Sequence, residues 1–96
     1  MIEYEAMGLA APGEGWRVAR EGQSSRGGRL PVNLSGGLKS RGHPIGATGV
    51  SQHVMAAMQL MGEAGEMQLD GAALAGVFNM GGAAVANYVS ILERLK

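Results

Sequence analysis

A histidine lies in a glycine-rich turn at residues 42–49, whose sequence is Gly-His-Pro-Ile-Gly-Ala-Thr-Gly. An imidazole takes up and releases a proton near neutral pH, so His43 is the strongest candidate for a general acid or base. Pro44 biases His43 towards extended backbone, and the neighbouring glycines leave room for a substrate beside the ring. The pattern therefore predicts proton transfer at His43. His53 has no such setting and is predicted to be structural.

Two further glycine-rich segments carry candidate binding groups. The loop at residues 32–37 combines polar side chains with a tight glycine path, and its candidates for substrate binding are Asn33, Ser35 and Gly36. The second segment, at residues 79–82, reads Asn-Met-Gly-Gly and follows an apolar run. Free N–H groups of Gly81 and Gly82 would suit an oxyanion. A plain hairpin turn is the alternative, and composition alone favours it.

The elements that must position these groups follow from periodicity. A helix is predicted over 46–62, with an apolar stripe of Val50, Val54, Met58 and Met61 facing a sheet. Strands are predicted near 73–79 and 84–92, paired antiparallel across the Gly81-Gly82 turn. The segment 10–31 is predicted to be a long loop with room for a short strand at 16–19, and 30–33 suits another. Residues 1–8 suit the end of a helix that Gly8 closes.

Composition limits the classes of function. The 96 residues suit one small domain, and 46% of them are hydrophobic while 17% are charged, so part of the apolar surface is expected to be covered by something outside the chain. Zero net charge and few aromatic residues argue against nucleic acid. No apolar run reaches membrane-spanning length, which predicts a cytoplasmic protein. The absence of cysteine excludes a thiolate metal site and a cysteine nucleophile within these residues.

Three segments together give the chain a resemblance to a known family. The loop at 32–37, the His-Pro-x-Gly-Ala-Thr-Gly match at 43–49 and the glycines at 81–82 follow in the order of the C-terminal catalytic block of the thiolase superfamily. The resemblance covers essentially the whole chain. It is closest to acetyl-CoA acetyltransferases akin to the sterol-carrier, or lipid-transfer, thiolases. Residues 1–96 therefore resemble a partial thiolase C-terminal domain, with 32–49 as its catalytic loop and 73–92 as its strand pair.

The resemblance implies a fold and an activity. Thiolases are α/β proteins of two similar halves, usually dimeric or tetrameric, and they transfer acyl groups on coenzyme A through an acyl-enzyme on cysteine. His43 matches the histidine that activates the cysteine, and Gly81 or Gly82 would supply an oxyanion N–H. The expected substrate is a coenzyme A thioester, and no covalently bound cofactor is implied. The cysteine belongs to the N-terminal half, so the chain is expected to be inactive alone and to need that half as partner, or to form a homo-oligomer.

One departure from the family pattern leaves alternatives open. Many thiolases have a second acid or base in the C-terminal glycine turn, where this chain has Phe78, or Asn79 under a shifted alignment. Neither exchanges protons readily at neutral pH. Retro-aldol cleavage of an acyl-CoA is therefore an alternative to acetyl transfer. A second alternative is a non-catalytic module for association or acyl-CoA binding.

Overall fold

The structure is a computed structural model that describes residues 1–95, and Lys96, predicted to lie in solvent at the chain end, falls outside the described residues. Two compact units divide the chain, residues 1–37 and residues from 38 onwards. In chain order the elements are α1 (Ile2–Ala6), α2 (Trp16–Arg20), α3 (Gly37–Arg41), α4 (Thr48–Met61), a 3₁₀ turn (Gly65–Met67), β1 (Leu74–Gly81) and β2 (Ala86–Glu93). Across the described residues, no helix has the length and apolarity needed to cross a membrane.

The first unit is built from short helices and turns around Val18, which is fully buried. The short strand predicted at 16–19 is wrong, because these residues form α2. Arg17 and Arg20 flank the Trp16 ring at 5.1 and 5.5 Å from its centroid. Such guanidinium–aromatic contacts stabilise the helical conformation of α2. The strand was predicted because a short apolar run does not by itself distinguish helix from strand.

The strand predicted at 30–33 is also wrong, although its backbone is partly paired. The amide of Leu30 donates to the carbonyl of Gln23 at 2.9 Å, and the amide of Val32 donates to Ser24 at 3.0 Å. The segment has no strand assignment. Asn33 follows with a left-handed backbone, at φ 51°, which turns the chain before a regular strand can extend.

The second unit contains the hairpin on which the site depends. β1 and β2 pair antiparallel in the register Leu74↔Glu93 to Gly81↔Ala86, which confirms the predicted strand pair. The connecting turn lies at 82–85, so Gly81 is the last residue of β1 and not part of the turn. Because side chains alternate along a strand, Val77, Asn79 and Ser90 share one face of the hairpin, whereas Phe78 and Val89 share the other.

Helix α4 packs against the face of the hairpin that carries Val77 and Ser90. The predicted contact face is wrong: the side chains of Val50, Val54 and Met61 are 51–69% exposed. The residues that meet the hairpin are small or polar, namely Gly49 and His53, while Leu60 on the same side is buried. The apolar stripe of α4 was therefore predicted to contact the hairpin, but it does not. Periodicity shows which residues share a face of the helix, but it does not show what covers that face.

The end of α4 is closed by glycine and by two side-chain amides. Gly62 adopts the left-handed conformation expected of a helix C-cap, at φ 75°. Gln59 donates to the carbonyl of Met67 at 2.6 Å and accepts from the amide of Leu69 at 3.0 Å. Gln68 donates to the carbonyl of Gln59 at 2.9 Å. These bonds fix the connection from α4 to β1, and so set how the helix meets the hairpin.

Candidate functional site

His43 is held by a chain of hydrogen bonds at the start of α4. Its Nδ1 lies 2.6 Å from Oγ1 of Thr48, and that hydroxyl donates to the carbonyl of Pro44 at 3.0 Å. The same carbonyl accepts from the amides of Ala47 and Thr48, at 2.8 and 2.9 Å. Thr48 is 2% exposed. The carbonyl of Pro44 thus accepts three hydrogen bonds, which fix the turn. The imidazole of His43 is held through Nδ1 alone.

The other side of the His43 ring is open. The residue is exposed, and within residues 1–95 no partner contacts its Nε2 by a hydrogen bond. An unprotonated Nε2 in this position accepts a proton from any donor that reaches the turn. The geometry leaves Nε2 accessible, and the role of His43 as a base stays a prediction.

Asn79 approaches the first turn of the same helix from the hairpin. A Cβ atom added to Gly49 would lie 2.8 Å from Nδ2 of Asn79, so the amide rests directly on the glycine. Phe78 points to the opposite face of the hairpin, where it pairs with Val89. Of the two residues, Asn79 therefore lies on the side of α4, while the match of Phe78, or of Asn79 under a shifted alignment, to the second acid or base stays a prediction. Because neighbouring side chains in a strand point to opposite faces, Phe78 and Asn79 cannot both face α4.

The glycine turn of the hairpin lies at this end of α4. Gly81 is two residues beyond Asn79, about 7 Å along the strand. In the turn, Gly82, Ala83 and Ala84 all have positive φ, at 56°, 54° and 71°. Within the described chain, their N–H groups have no hydrogen-bond acceptor. Unpaired amides fixed in a strained turn are suited to a developing negative charge.

The predicted binding residues Asn33, Ser35 and Gly36 share one turn of the first unit. The carbonyl of Asn33 accepts from the amide of Gly36 at 2.8 Å. A Cβ atom on Gly37 would lie 3.3 Å from Nδ2 of Asn33, so the asparagine side chain folds back over that glycine. Positive φ at Gly36 and Gly37, 88° and 68°, explains why glycine occupies both positions.

His53 joins α4 to the hairpin. Its Nδ1 lies 2.7 Å from the carbonyl of Gly49, and its Nε2 lies 2.8 Å from Oγ of Ser90. Both ring nitrogens are thus engaged, which leaves no free lone pair for a substrate. The contacts agree with the structural role predicted for this histidine.

Sequence reasoning did not single out Thr48, whose hydroxyl contacts His43. It named Asn79 only under a shifted alignment, after Phe78. A signal for Thr48 was present: a hydroxyl residue in the first turn of a helix, five residues after the histidine, is well placed to bond to groups before the helix. Asn79 had no local signal, because only the packing of α4 on one face of the β1–β2 hairpin shows that Asn79 lies on that side.

Comparisons with known proteins identify the family of the chain. The family described as thiolase C-terminal domain-like matches residues 1–94. The chain is 43% identical over 94 residues to an acetyl-CoA acetyltransferase of Methanothermobacter thermautotrophicus, a match covering 98% of the chain and 24% of the relative. It is 46% identical over 81 residues to sterol carrier protein 2 of Bos taurus, covering 84% of the chain and 15% of that protein.

A third relative is a benzoylsuccinyl-CoA thiolase subunit, BbsB, of Thauera aromatica. It is 36% identical over 70 residues, which cover 73% of the chain and 18% of that subunit. The chain thus spans less than a quarter of the length of each of these three relatives. The family match applies to the chain itself, whereas the activity of a complete relative involves many residues beyond the matched region.

Proposed function

The chain belongs to the family of thiolase C-terminal domains, and we propose that it supplies the catalytic histidine of a thiolase-like active site for coenzyme A thioesters. The observation that carries the proposal is the anchored ring of His43. Its Nδ1 is bonded to Thr48 at 2.6 Å while its Nε2 is open. The resemblance of the surrounding motif to the histidine turn of acetyl-CoA acetyltransferases supports the same role.

The proposed chemistry begins with a proton transfer. The S–H bond of a cysteine, supplied from outside this chain, breaks as its proton passes to Nε2 of His43. In the cleavage of acetoacetyl-CoA, the resulting thiolate attacks the keto carbonyl of the acyl chain, whose oxygen becomes an oxyanion. The unpaired amides at 82–84 are suited to that charge.

The carbon–carbon bond next to this carbonyl then breaks, so that the acetyl group stays on the cysteine and the departing acetyl-CoA carbanion takes up the proton that the cysteine released. Free coenzyme A then removes the acetyl group as a second acetyl-CoA and restores the thiol. The chain has no cysteine, so the step requires a second polypeptide segment.

Substrate contacts are proposed within each unit taken by itself. In the second unit, Gly81 at the end of β1 and Gly82 in the turn would act through their backbone. In the first unit, Asn33, Ser35 and Gly36 would act in their own turn. The substrate is an acyl-CoA, and no covalently bound group is required by these residues.

A second candidate function rests on Asn79. Its carboxamide lies on the side of α4, and under the shifted alignment it matches the second acid or base that many thiolases use to deprotonate acetyl-CoA for condensation. An amide does not exchange protons at neutral pH, so cleavage of an acyl-CoA, as in a retro-aldol reaction, is favoured over condensation. A non-catalytic module for acyl-CoA binding is the remaining alternative.

The test is a reconstitution. The chain is co-expressed with the part of the Methanothermobacter acetyl-CoA acetyltransferase that the match leaves uncovered, and cleavage of acetoacetyl-CoA by free coenzyme A is measured. We expect turnover with both parts, and neither turnover nor an acylated protein mass with the chain alone. His43→Ala should reduce the rate on the order of 10²-fold or more, as for loss of a general base.

His53→Ala is the matched control, because it removes an imidazole from the same helix without touching the proposed base. It should reduce the rate far less than His43→Ala once equal amounts of folded complex are compared. Equal small losses would return His43 to a structural role. Exchange of the acetyl methyl hydrogens with deuterated solvent separates the two reactions: slow exchange favours cleavage, and rapid exchange shows that a residue other than Asn79 supplies the base for condensation.

A further inference from the structure

We propose that Thr48 is a positioning residue that determines which nitrogen of His43 is free to act as the base. The proposal rests on the proposed function for its consequence in catalysis, but the property it concerns, the tautomer of one imidazole, is measurable without any turnover. It assigns a role to the Thr48 hydroxyl that neither the histidine motif nor the glycine turns define.

The hydrogen bonds have only one consistent direction. The carbonyl of Pro44 can only accept, so Thr48 Oγ1, at 3.0 Å from it, donates its single proton there. Nδ1 of His43, at 2.6 Å from the same Oγ1, must then be the donor in its own bond. A neutral ring that carries its proton on Nδ1 has its lone pair on Nε2. The sequence of bonds from His43 through Thr48 to Pro44 thus leaves the exposed nitrogen basic.

The burial of Thr48 preserves the direction of the hydrogen bond between His43 and its hydroxyl. Thr48 is 2% exposed, so water does not replace the imidazole as partner of its hydroxyl. The backbone holds the acceptor in place, because the carbonyl of Pro44 also receives the amides of Ala47 and Thr48. The His43 ring itself is exposed. Without the threonine hydroxyl nothing in the described turn would select Nδ1, and a free imidazole prefers its proton on Nε2, which would block the base.

Nitrogen-15 NMR of the isotopically labelled chain tests the proposal. In a neutral imidazole the two ring nitrogens differ in chemical shift according to which of them carries the proton, so the spectra are recorded at alkaline pH. We expect His43 to carry its proton on Nδ1 in the wild-type chain. Thr48→Val, which keeps the shape and removes the hydroxyl, should move the proton mainly to Nε2. Thr48→Ser, which restores the hydroxyl, should return it to Nδ1.

His53 is the internal control in the same spectra. Its Nδ1 donates to the carbonyl of Gly49, the residue next to Thr48, so it retains its proton there only if the first turn of α4 is intact. In Thr48→Val we expect the ring proton of His53 to stay on Nδ1 while that of His43 moves mainly to Nε2. A wild-type His43 protonated on Nε2, or a Thr48→Val variant still protonated on Nδ1, would overturn the proposal. Failure of the reconstituted enzyme to turn over would overturn the proposed function and leave this result standing.

Discussion

At the scale of single residues, Gly49 allows the amide of Asn79 to lie against the first turn of α4. A side chain there would place a Cβ atom 2.8 Å from Nδ2 of Asn79, which is closer than a carbon and an amide nitrogen can approach. The obstructed atom is at the end of a flexible side chain, so it can move away. The glycine is therefore required for the position of Asn79 more than for the stability of the helix.

Gly49→Ala should separate these two effects. We expect the free energy of unfolding to stay unchanged or to rise by up to about 1 kcal/mol, since alanine favours helix over glycine. The side-chain amide resonances of Asn79 should shift, because the carboxamide must leave its place. Chemical denaturation and a nitrogen-15 correlation spectrum measure the two quantities on one sample.

Gly46→Ala is the matched control for this substitution. A Cβ atom at Gly46 meets no heavy atom within 4 Å, and the residue precedes the helix in the same turn. Its variant should leave the Asn79 resonances in place. Unmoved Asn79 resonances in Gly49→Ala as well would show that the amide does not rest on this glycine.

At the scale of elements, the turn between β1 and β2 is strained. Ala83 and Ala84 occupy the left-handed region, at φ 54° and 71°, where a Cβ atom approaches the following carbonyl. Asn87 supports the turn by donating from Nδ2 to the carbonyl of Ala84 at 2.9 Å. The turn keeps a conformation that alanine does not favour, and its N–H groups stay free as a result.

Ala84→Gly should stabilise the chain by about 1 kcal/mol, because left-handed backbone is penalised by roughly that amount in alanine and not in glycine. Ala86→Gly is the control, since it adds the same flexibility to the unfolded chain at a position in β2. It should destabilise by about 0.5–1 kcal/mol. Both values come from chemical denaturation. If Ala84→Gly proved as destabilising as Ala86→Gly, the turn would not be left-handed.

The elements also show how far sequence reasoning extends. The strand pair and α4 were predictable from their patterns. Thr48–Met61 has helical spacing, the run before Gly82 is short and apolar, and β2 contains the β-branched Val89 and Ile91. The short helices α2 and α3 were not predicted. Five residues carry too little periodicity to predict a helix. In α2 the contacts of Arg17 with Glu14 and with the Trp16 ring support the helix.

The site was predictable in part for a different reason. His43 and the glycines were found from residue type and spacing, which do not depend on tertiary packing. The partner of the imidazole and the face of Asn79 depend on hydrogen-bond geometry and on strand register, and these arise only in the folded unit. The contact face of α4 was assigned wrongly because apolar residues on a helix need not be covered by the nearest sheet.

At the scale of the whole molecule, much apolar surface is uncovered. On the face of the hairpin away from α4, five apolar side chains are 40–67% exposed: Leu74, Phe78, Met80, Val89 and Ile91. Among described residues the buried apolar set is small, consisting of Val18, Leu60, Ala64 and Val77. The relatives are at least four times as long as the region they share with the chain. The expectation that something outside the chain covers part of its apolar surface stays a prediction, and this outer face of the hairpin is the surface that it concerns.

The isolated chain should therefore self-associate. Sedimentation velocity should show dimers or larger species whose proportion rises with concentration, since exposed apolar strands pair readily. Val89→Lys, on the outer face, should reduce the association. Val85→Lys is the control, because Val85 is 87% exposed but lies in the turn. A wild-type chain that is monomeric at all concentrations would contradict the expectation, as would equal effects of the two variants.

Met80 gives the outer face a chemical vulnerability. The residue is 48% exposed among the apolar side chains of that face, and peroxide converts an accessible thioether into a polar sulfoxide. Each such oxidation would place a polar oxygen on this apolar face, which should weaken the self-association expected of the isolated chain. Where another surface covers the face, the thioether should be protected from peroxide. The rate at which Met80 is oxidised would thus report how fully the outer face is covered.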